Sequence, residues 1–197
     1  MASAEPKTAS TASTKLRADA RRNRDKLIEV AAAAFAENGV ETSLEDIARQ
    51  AGVGIGTLYR HFPTREHLVE VVYRRELESL AAAATELAGK YPPDLALEEW
   101  TRRFVGYIAA KRGMANSLRI LMTSNSSLFA EGSGLIRGAL EGLLKTAGEE
   151  GYIRTDIETT DLLQALSSIY SIPDSPEWRE RAYRLIGLLM DGLRAKK

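Results

Sequence analysis

TSLEDIARQAGVGIGTLYRHF, residues 42–62 of this 197-residue chain, reads as two short helices joined by a glycine turn. Ser43 is a good N-cap for the first helix, and Asp46 stands at the third helical position, as in a weak capping box. Gly52 is the residue type that closes a helix in the left-handed conformation. Gly54 is a tolerable N-cap for the second helix. This pattern predicts a helix-turn-helix.

The apolar residues of this stretch recur at helical spacing, which leaves polar side chains on the opposite face of the second helix. Leu58 and Phe62 are four residues apart and are predicted to face inward together. The first helix is predicted to bury Leu44, Ile47, Ala48 and Ala51. The outward residues of the second helix can all form hydrogen bonds; they are Thr57, Tyr59, Arg60 and His61. Such a helix fits the major groove of DNA, which is about 12 Å wide.

The stretch resembles the DNA-binding motif of the TetR family of transcriptional regulators. Residues 52–62 carry the resemblance, with Thr57-Leu58-Tyr59 followed three residues later by a hydrophobic residue, and PTREHL at 63–68 continues it. Residues 24–39 are similar to the first helix of the family. The resemblance implies an all-α protein. An N-terminal three-helix DNA-binding domain would be followed by a helical-bundle domain for ligand binding and dimerisation.

By this resemblance, two groups of residues meet DNA. Positions that touch the backbone are Ser43, Thr57, Tyr59, His61 and Arg65, although Thr57 and Tyr59 also have a purely structural reading. Positions that face bases are Gly54, Ile55, Gly56 and Arg60. Arg60 is suited to read a guanine through two parallel hydrogen bonds. Ile55 either meets a thymine methyl group or shields the turn, and the sequence favours neither.

The formal net charge is zero, with 27 basic and 27 acidic residues, but the placement of charge matters more than its sum. Residues 15–26 contain six basic and two acidic side chains, directly before the motif. A solvated tail would show the same pattern, yet a basic segment beside a helix-turn-helix is what phosphate contact requires. Residues 1–20 hold almost no large apolar side chain, so we expect a disordered basic arm there.

The chain is expected to divide into the arm at residues 1–20, the helix-turn-helix domain at 21–67 and a ligand-binding and dimerisation domain at 68–197. The clearest breaker is GKYPPD at residues 89–94. No stretch shows sustained strand alternation, so the fold class is all-α. Besides the two helices of the motif, helices are predicted over residues 24–38, 65–88, 95–111, 112–126, 133–150, 160–171 and 177–195.

Several other function classes find no support in the sequence. There is no cysteine, and His61 and His67 are six residues apart, whereas helical metal pairs are three or four apart, so no metal or cofactor is expected. Gly132-Ser133-Gly134 lacks the pattern of a nucleophile elbow, and no catalytic constellation marks an enzyme. No apolar run reaches the about 18 residues of a membrane helix, and no secretory signal is present. A cytoplasmic protein is expected.

The second half offers a ligand cavity and a dimer interface, both inferred through the resemblance. Apolar residues at helical spacing are more often plain core, but the family senses small molecules among its middle helices. We therefore expect a ligand-responsive homodimeric repressor that binds a double-stranded DNA operator and is released by an unidentified small-molecule effector. The alternative is a helical protein-interaction module that binds no DNA. The predicted pocket residues are Trp100, Phe104, Tyr107, Leu118, Met122, Asn125, Phe129 and Gln164; the predicted interface residues are Leu162, Leu166, Leu185, Leu189 and Leu193.

Overall fold

The computed structural model describes residues 8–194, and this part of the chain is all-α, as predicted. An isolated backbone bridge between Ile153 and Arg194 ties the loop after the seventh helix to the end of the last one. No described helix is both long and apolar enough to cross a membrane. The α-helices are α1 (Thr8–Asn38), α2 (Leu44–Ala51), α3 (Ile55–His61), α4 (Arg65–Ala88), α5 (Pro93–Gly113), α6 (Ala115–Ser124), α7 (Ser126–Glu149), α8 (Thr159–Ser167) and α9 (Trp178–Leu193).

The helix-turn-helix forms through the local signals that predicted it. The Ser43 hydroxyl accepts a hydrogen bond from the backbone N–H of Asp46 at 3.0 Å and caps α2. Gly52 ends α2 with a φ of 72°, the left-handed conformation that glycine adopts without a steric cost. Gly54 is the N-cap of α3. All four residues predicted to face inward from α2 are buried, as are Leu58 and Phe62.

The first helix is longer than predicted, and this corrects the expectation of a disordered arm over residues 1–20. Helix α1 begins at Thr8 instead of Arg24, so residues 8–20 are helical. Its C-terminal half is anchored by Leu27, Ala31 and Phe35, which are fully buried. A nucleated helix extends at low cost through alanine, lysine and arginine, which are strong helix formers. The expectation for residues 1–7 lies outside the described residues.

Helices α4, α5 and α7 form the centre of the second half. Thr64 caps α4 by accepting a hydrogen bond from His67 N–H at 3.1 Å, and α4 ends at Ala88, directly before the predicted GKYPPD breaker. Trp100 on α5 is fully buried, and its indole N–H donates to the Leu80 carbonyl at 2.8 Å. These contacts position α5 along α4.

Two helices of the second half, α6 and α7, begin three or more residues from their predicted starts. Helix α7 starts at Ser126, not at residue 133, because Gly132 is a packing residue within the helix and not a break. A Cβ at Gly132 would lie 2.5 Å from Cδ1 of Leu77, so glycine permits the close crossing of α7 over α4. Helix α6 is also shorter than predicted and spans Ala115–Ser124.

A close contact joins the DNA-reading half of the chain to the rest. Helix α5 ends at Gly113 against the end of α1, where a Cβ would lie 1.9 Å from the Phe35 carbonyl oxygen. Near this point, the Arg179 guanidinium of α9 donates to the Ala36 carbonyl at 2.8 Å. The end of α1 is therefore held by both α5 and α9.

Candidate nucleic-acid interface and ligand cavity

Helix α3 presents a polar face to solvent and an apolar face to the core. Leu58 and the following Phe62 are fully buried and anchor the helix, while Tyr59 is 44% exposed. Arg60 is exposed, and within residues 17–194 its guanidinium forms no ion pair. Thr57 and His61 are partly exposed. The residues predicted to face a DNA groove therefore lie together on the accessible side of one short helix.

The two glycines at the start of α3 leave open space beside the helix. A Cβ built at Gly54 or at Gly56 meets no atom within 4 Å. Neither residue has the positive φ that would demand glycine. Packing within the chain therefore does not explain them, whereas close approach of a partner surface to the helix start would.

Ile55 lies between these glycines and is partly buried against the core. Of its two predicted roles, this burial favours shielding of the turn. Its remaining exposed part still lies on the same edge of α3 as Gly56.

Ser43 and Arg65, both predicted to touch the DNA backbone, also hold the motif together. The Ser43 hydroxyl caps α2 and lies 2.7 Å from Oδ2 of Asp46. The Arg65 guanidinium donates to the Thr42 carbonyl at 2.6 Å and lies over the Phe35 ring, 5.2 Å from its centroid. Arg65 thus links the start of α4 to the end of α1 and to the residue before the α2 cap.

Basic residues of α1 flank both ends of α3. The Arg24 guanidinium lies 5.5 Å from the centroid of the Phe62 ring, directly after α3. The Lys26 ammonium lies 3.7 Å from the position of a Cβ at Gly52, in the turn before α3. Part of the local charge is neutralised, because Arg21 pairs with Asp25 at 4.0 Å and Arg22 pairs with Asp19.

A cavity of about 160 Å³ lies between α4, α5, α7 and α8. Three of the predicted pocket residues line it, namely Phe104, Tyr107 and Phe129. The other five do not. Trp100 and Leu118 are core residues, Met122 is 58% exposed on α6, Gln164 is exposed, and the Asn125 amide donates to Glu70 at 3.2 Å. The further lining residues, which were not predicted, are Tyr73, Ile108, Lys111, Gly132, Ser133, Ile136, Leu163, Ser167 and Tyr170.

Helical spacing could have identified two of the missed residues. Lys111 follows Phe104 by seven residues and Tyr107 by four, so it belongs to the same face of α5. Ile108 follows Phe104 by four residues and lies on that face as well. The remaining missed residues come from α4, α7, α8 and the turn after α8, whose packing the sequence does not reveal.

The wall of the cavity contains polar groups that are buried or partly buried. The Tyr73 and Tyr107 hydroxyls lie 3.2 Å apart in a hydrogen bond, and burial raises the pKa of both phenols. Burial lowers the pKa of the Lys111 ammonium, which lies 5.8 Å from the Tyr107 ring centroid and 5.7 Å from that of Tyr170. The cavity therefore combines neutral hydroxyl donors with one partly buried cation.

The predicted dimer interface is corrected at three positions. Leu162, Leu166 and Leu193 are buried within the single chain, because they lie on the inner faces of α8 and α9, and they cannot also cover a partner. Leu185 is 40% exposed, and Leu189 is half-buried. The stripe that faces solvent on α9 instead centres on Leu188, which is 70% exposed.

Two family models match the chain, one in each half. Residues 27–72 match the model of bacterial regulatory proteins of the tetR family. Residues 92–195 match the model of the C-terminal domain of SbtR-like transcriptional regulators.

Solved structures and curated proteins give the same picture. A TetR transcriptional regulator from Streptomyces coelicolor is 44% identical, with 88% of this chain and 99% of that chain covered at a TM-score of 0.79. A TetR transcription regulatory protein from Mycobacterium vanbaalenii is 32% identical, with 91% and 99% covered at a TM-score of 0.70. An HTH-type transcriptional regulator of Staphylococcus aureus is 44% identical over 64 residues, 32% of this chain, so the match spans only 35% of that relative. A second one, from another strain, is 28% identical over 78% of this chain and 82% of the relative.

Proposed function

This chain belongs to the TetR family of bacterial regulatory proteins, and we propose that it is a homodimeric repressor released from its operator by a small molecule. It is a DNA-binding transcriptional regulator, and its family is a class of regulators and not of enzymes. Family membership also removes the support for the alternative of a protein-interaction module without DNA binding. Because operator DNA is its target, we place its action in the cytoplasm.

The observation that carries the proposed ligand response is the continuity of α5 from the cavity to the helix-turn-helix. Tyr107 and Lys111 line the cavity, and Gly113, two residues further, contacts the Phe35 backbone. The Phe35 ring supports the Arg65 guanidinium, which in turn holds the Thr42 carbonyl beside the α2 cap. A shift of the end of α5 on ligand binding would therefore move the motif through packed atoms.

Coupling of this kind needs two conformations of the chain, one of which the ligand binds more tightly than the other. If a ligand in the cavity favours the conformation in which the end of α5 is displaced, α3 would change its orientation in each subunit. The two α3 helices would then no longer fit two successive major grooves. Half-sites one helical turn apart require reading helices about 34–36 Å apart, so small rotations lose affinity. Release by ligand follows when the displaced arrangement binds the operator more weakly than the free one.

The test of DNA binding is selection from a random DNA pool with the purified full-length chain at moderate salt. We expect enrichment of a near-palindrome whose halves lie on one face of the duplex. A reporter gene behind that sequence should fall in expression when the regulator is supplied. Failure to enrich any motif would contradict specific DNA reading, and a rise in reporter expression would contradict the repressor role.

A further inference from the structure

The cavity between α4, α5, α7 and α8 contains one charged side chain among its lining residues, Lys111. The rest are aromatic, aliphatic, glycine or hydroxyl-bearing. No carboxylate in the described part of the chain lies within ion-pair distance of the Lys111 ammonium. The wall of the cavity therefore carries an uncompensated positive charge.

Such a cation is costly to hold away from water, as the lowered pKa of Lys111 reflects. The faces of Tyr107 and Tyr170 offset part of this cost, since aromatic rings attract cations at the 5.8 and 5.7 Å separations seen here. Rings do not neutralise the charge. An anionic group that enters the cavity would neutralise it, and the low-dielectric surroundings would strengthen the attraction between the two charges.

The tyrosine pair adds a donor for the same group. In the 3.2 Å contact between the Tyr73 and Tyr107 hydroxyls, one O–H donates to the other oxygen, so the second O–H remains available to an acceptor. Both phenols are protonated near neutral pH, since the ordinary pKa of a tyrosine is about 10 and burial raises the pKa of these two further. A carboxylate oxygen can accept from this hydroxyl while the ammonium binds the other oxygen.

The size of the cavity limits the rest of the ligand. Its volume is about 160 Å³, and an apolar cavity of about 150 Å³ in another protein holds one benzene molecule. The rings of Phe104, Phe129 and Tyr170 form its walls, which suits a flat apolar body.

We propose that the effector is a small monocarboxylate built on a single ring, with its carboxylate on Lys111 and its ring between Phe104 and Phe129. This assignment rests on the proposed function, since it names the ligand class of the same site. It distinguishes the chain from a receptor for neutral apolar molecules, which would have no use for the lysine.

Binding can be tested without DNA, using benzoate as the anionic probe and benzamide and benzyl alcohol as neutral probes of the same size. Thermal unfolding and calorimetric titration of the full-length chain should show benzoate binding at millimolar concentration and much weaker binding of both neutral probes. Lys111→Met should weaken benzoate binding about tenfold or more, as expected when one member of a largely desolvated charge pair is removed. Benzamide binding should change little.

The matched control is Lys145→Met, which removes an exposed lysine that pairs with Glu149 on α7, outside the cavity. Benzoate binding should survive this change. Equal binding of benzoate and benzamide by the unmodified chain would overturn the proposal, as would undiminished benzoate binding by the Lys111 variant or no benzoate binding at all. If benzoate binds through Lys111 but leaves the operator complex intact, the ligand class stands and the proposed release mechanism fails.

Discussion

The Arg65 side chain shows how one residue of a DNA-reading motif can be committed to the fold. Its position in the family motif points to a phosphate contact, yet its guanidinium already donates to the Thr42 carbonyl and stacks on Phe35. A half-buried arginine engaged on two sides has few directions left for DNA. We therefore assign it first to holding α4, α1 and the α2 cap in register.

We expect Arg65→Ala to lower the free energy of unfolding by about 1.5–3 kcal/mol, the range for hydrogen bonds to charged groups. Urea denaturation followed by circular dichroism would measure this loss. Arg60→Ala is the control, because the exposed Arg60 should change stability by no more than about 0.5 kcal/mol. Unchanged stability of the Arg65 variant together with lost DNA binding would make it a phosphate ligand instead.

Arg60 and Tyr59 are neighbours with different predicted roles in DNA reading. Arg60→Ala should relax base preference at one position of each half-site and cost about 1–3 kcal/mol per half-site. Tyr59→Phe should weaken binding to all sequences alike, because phosphate contacts carry no direct sequence information. Fluorescence anisotropy with the selected operator and its single-base variants would separate the two effects. Equal loss of preference from both changes would show that the roles are assigned wrongly.

At the scale of the helix, the sequence predicted most accurately the features that depend on residues close together in the chain. The cap at Ser43 and the left-handed Gly52 follow from local chemistry, and both are present. The apolar stripe of α5 also followed from its spacing, and Trp100, Phe104 and Tyr107 are buried. The spacing of apolar residues and the capping residues are properties of a single segment, so the sequence of that segment is enough to predict them.

What the sequence could not supply depends on contacts between segments. The start of α7 was predicted seven residues too late, and nothing local reveals that Gly132 lies within the helix where Leu77 of α4 crosses it. The sequence predicted three interface residues that are buried within the chain, namely Leu162, Leu166 and Leu193. The spacing of apolar residues does not reveal whether they pack within their own chain or against a partner. Trp100 was predicted to line a pocket, and the sequence does not reveal that full burial and a hydrogen bond to the Leu80 carbonyl commit it to the core.

Helix α5 offers a paired test of the proposed coupling, because two of its glycines meet different surroundings. Gly113→Ala places a Cβ against the Phe35 carbonyl, so α1 or α5 must move, and overpacking of this kind costs about 1–3 kcal/mol. Gly106→Ala meets nothing within 4 Å and should stabilise the chain by about 0.5–1 kcal/mol through helix propensity.

Thermal unfolding and operator binding of both variants would test this difference. We expect the Gly113 variant to lose operator affinity as well as stability, since the end of α1 supports the motif. The Gly106 variant should bind the operator normally. Equal stabilisation by both changes would show that the α5–α1 contact is loose and carries no coupling.

At the scale of the whole molecule, a net charge of zero is compatible with DNA binding because the local placement of charge matters more than its sum. Basic residues of α1 gather around α3, with Arg24 at its end and Lys26 beside its preceding turn. Asp19 and Asp25 of the same helix pair with Arg22 and Arg21 and offset part of this local charge. The remaining basic side chains beside α3 are in position to attract the DNA backbone.

TetR regulators bind DNA as dimers, and α9 supplies the apolar surface that we assign to the contact. Leu188 is 70% exposed and Leu185 is 40% exposed, three residues apart on one face. Interfaces of permanent homodimers bury about 2,000 Å² or more and are largely apolar, so these residues form the centre of a larger surface.

Leu188→Glu should make the chain monomeric and abolish tight operator binding. A carboxylate in an apolar contact costs several kcal/mol if no partner neutralises it, whereas the folded monomer should tolerate it because Leu188 makes little use of the core. Met122→Glu is the matched control, since Met122 is equally apolar and 58% exposed but lies on α6. Sedimentation equilibrium at micromolar concentration should show dimers for the unmodified chain and the Met122 variant, and monomers for the Leu188 variant. A Leu188 variant that remains dimeric would move the interface away from this face of α9, and a monomeric unmodified chain would remove the dimer on which the reading of two half-sites depends.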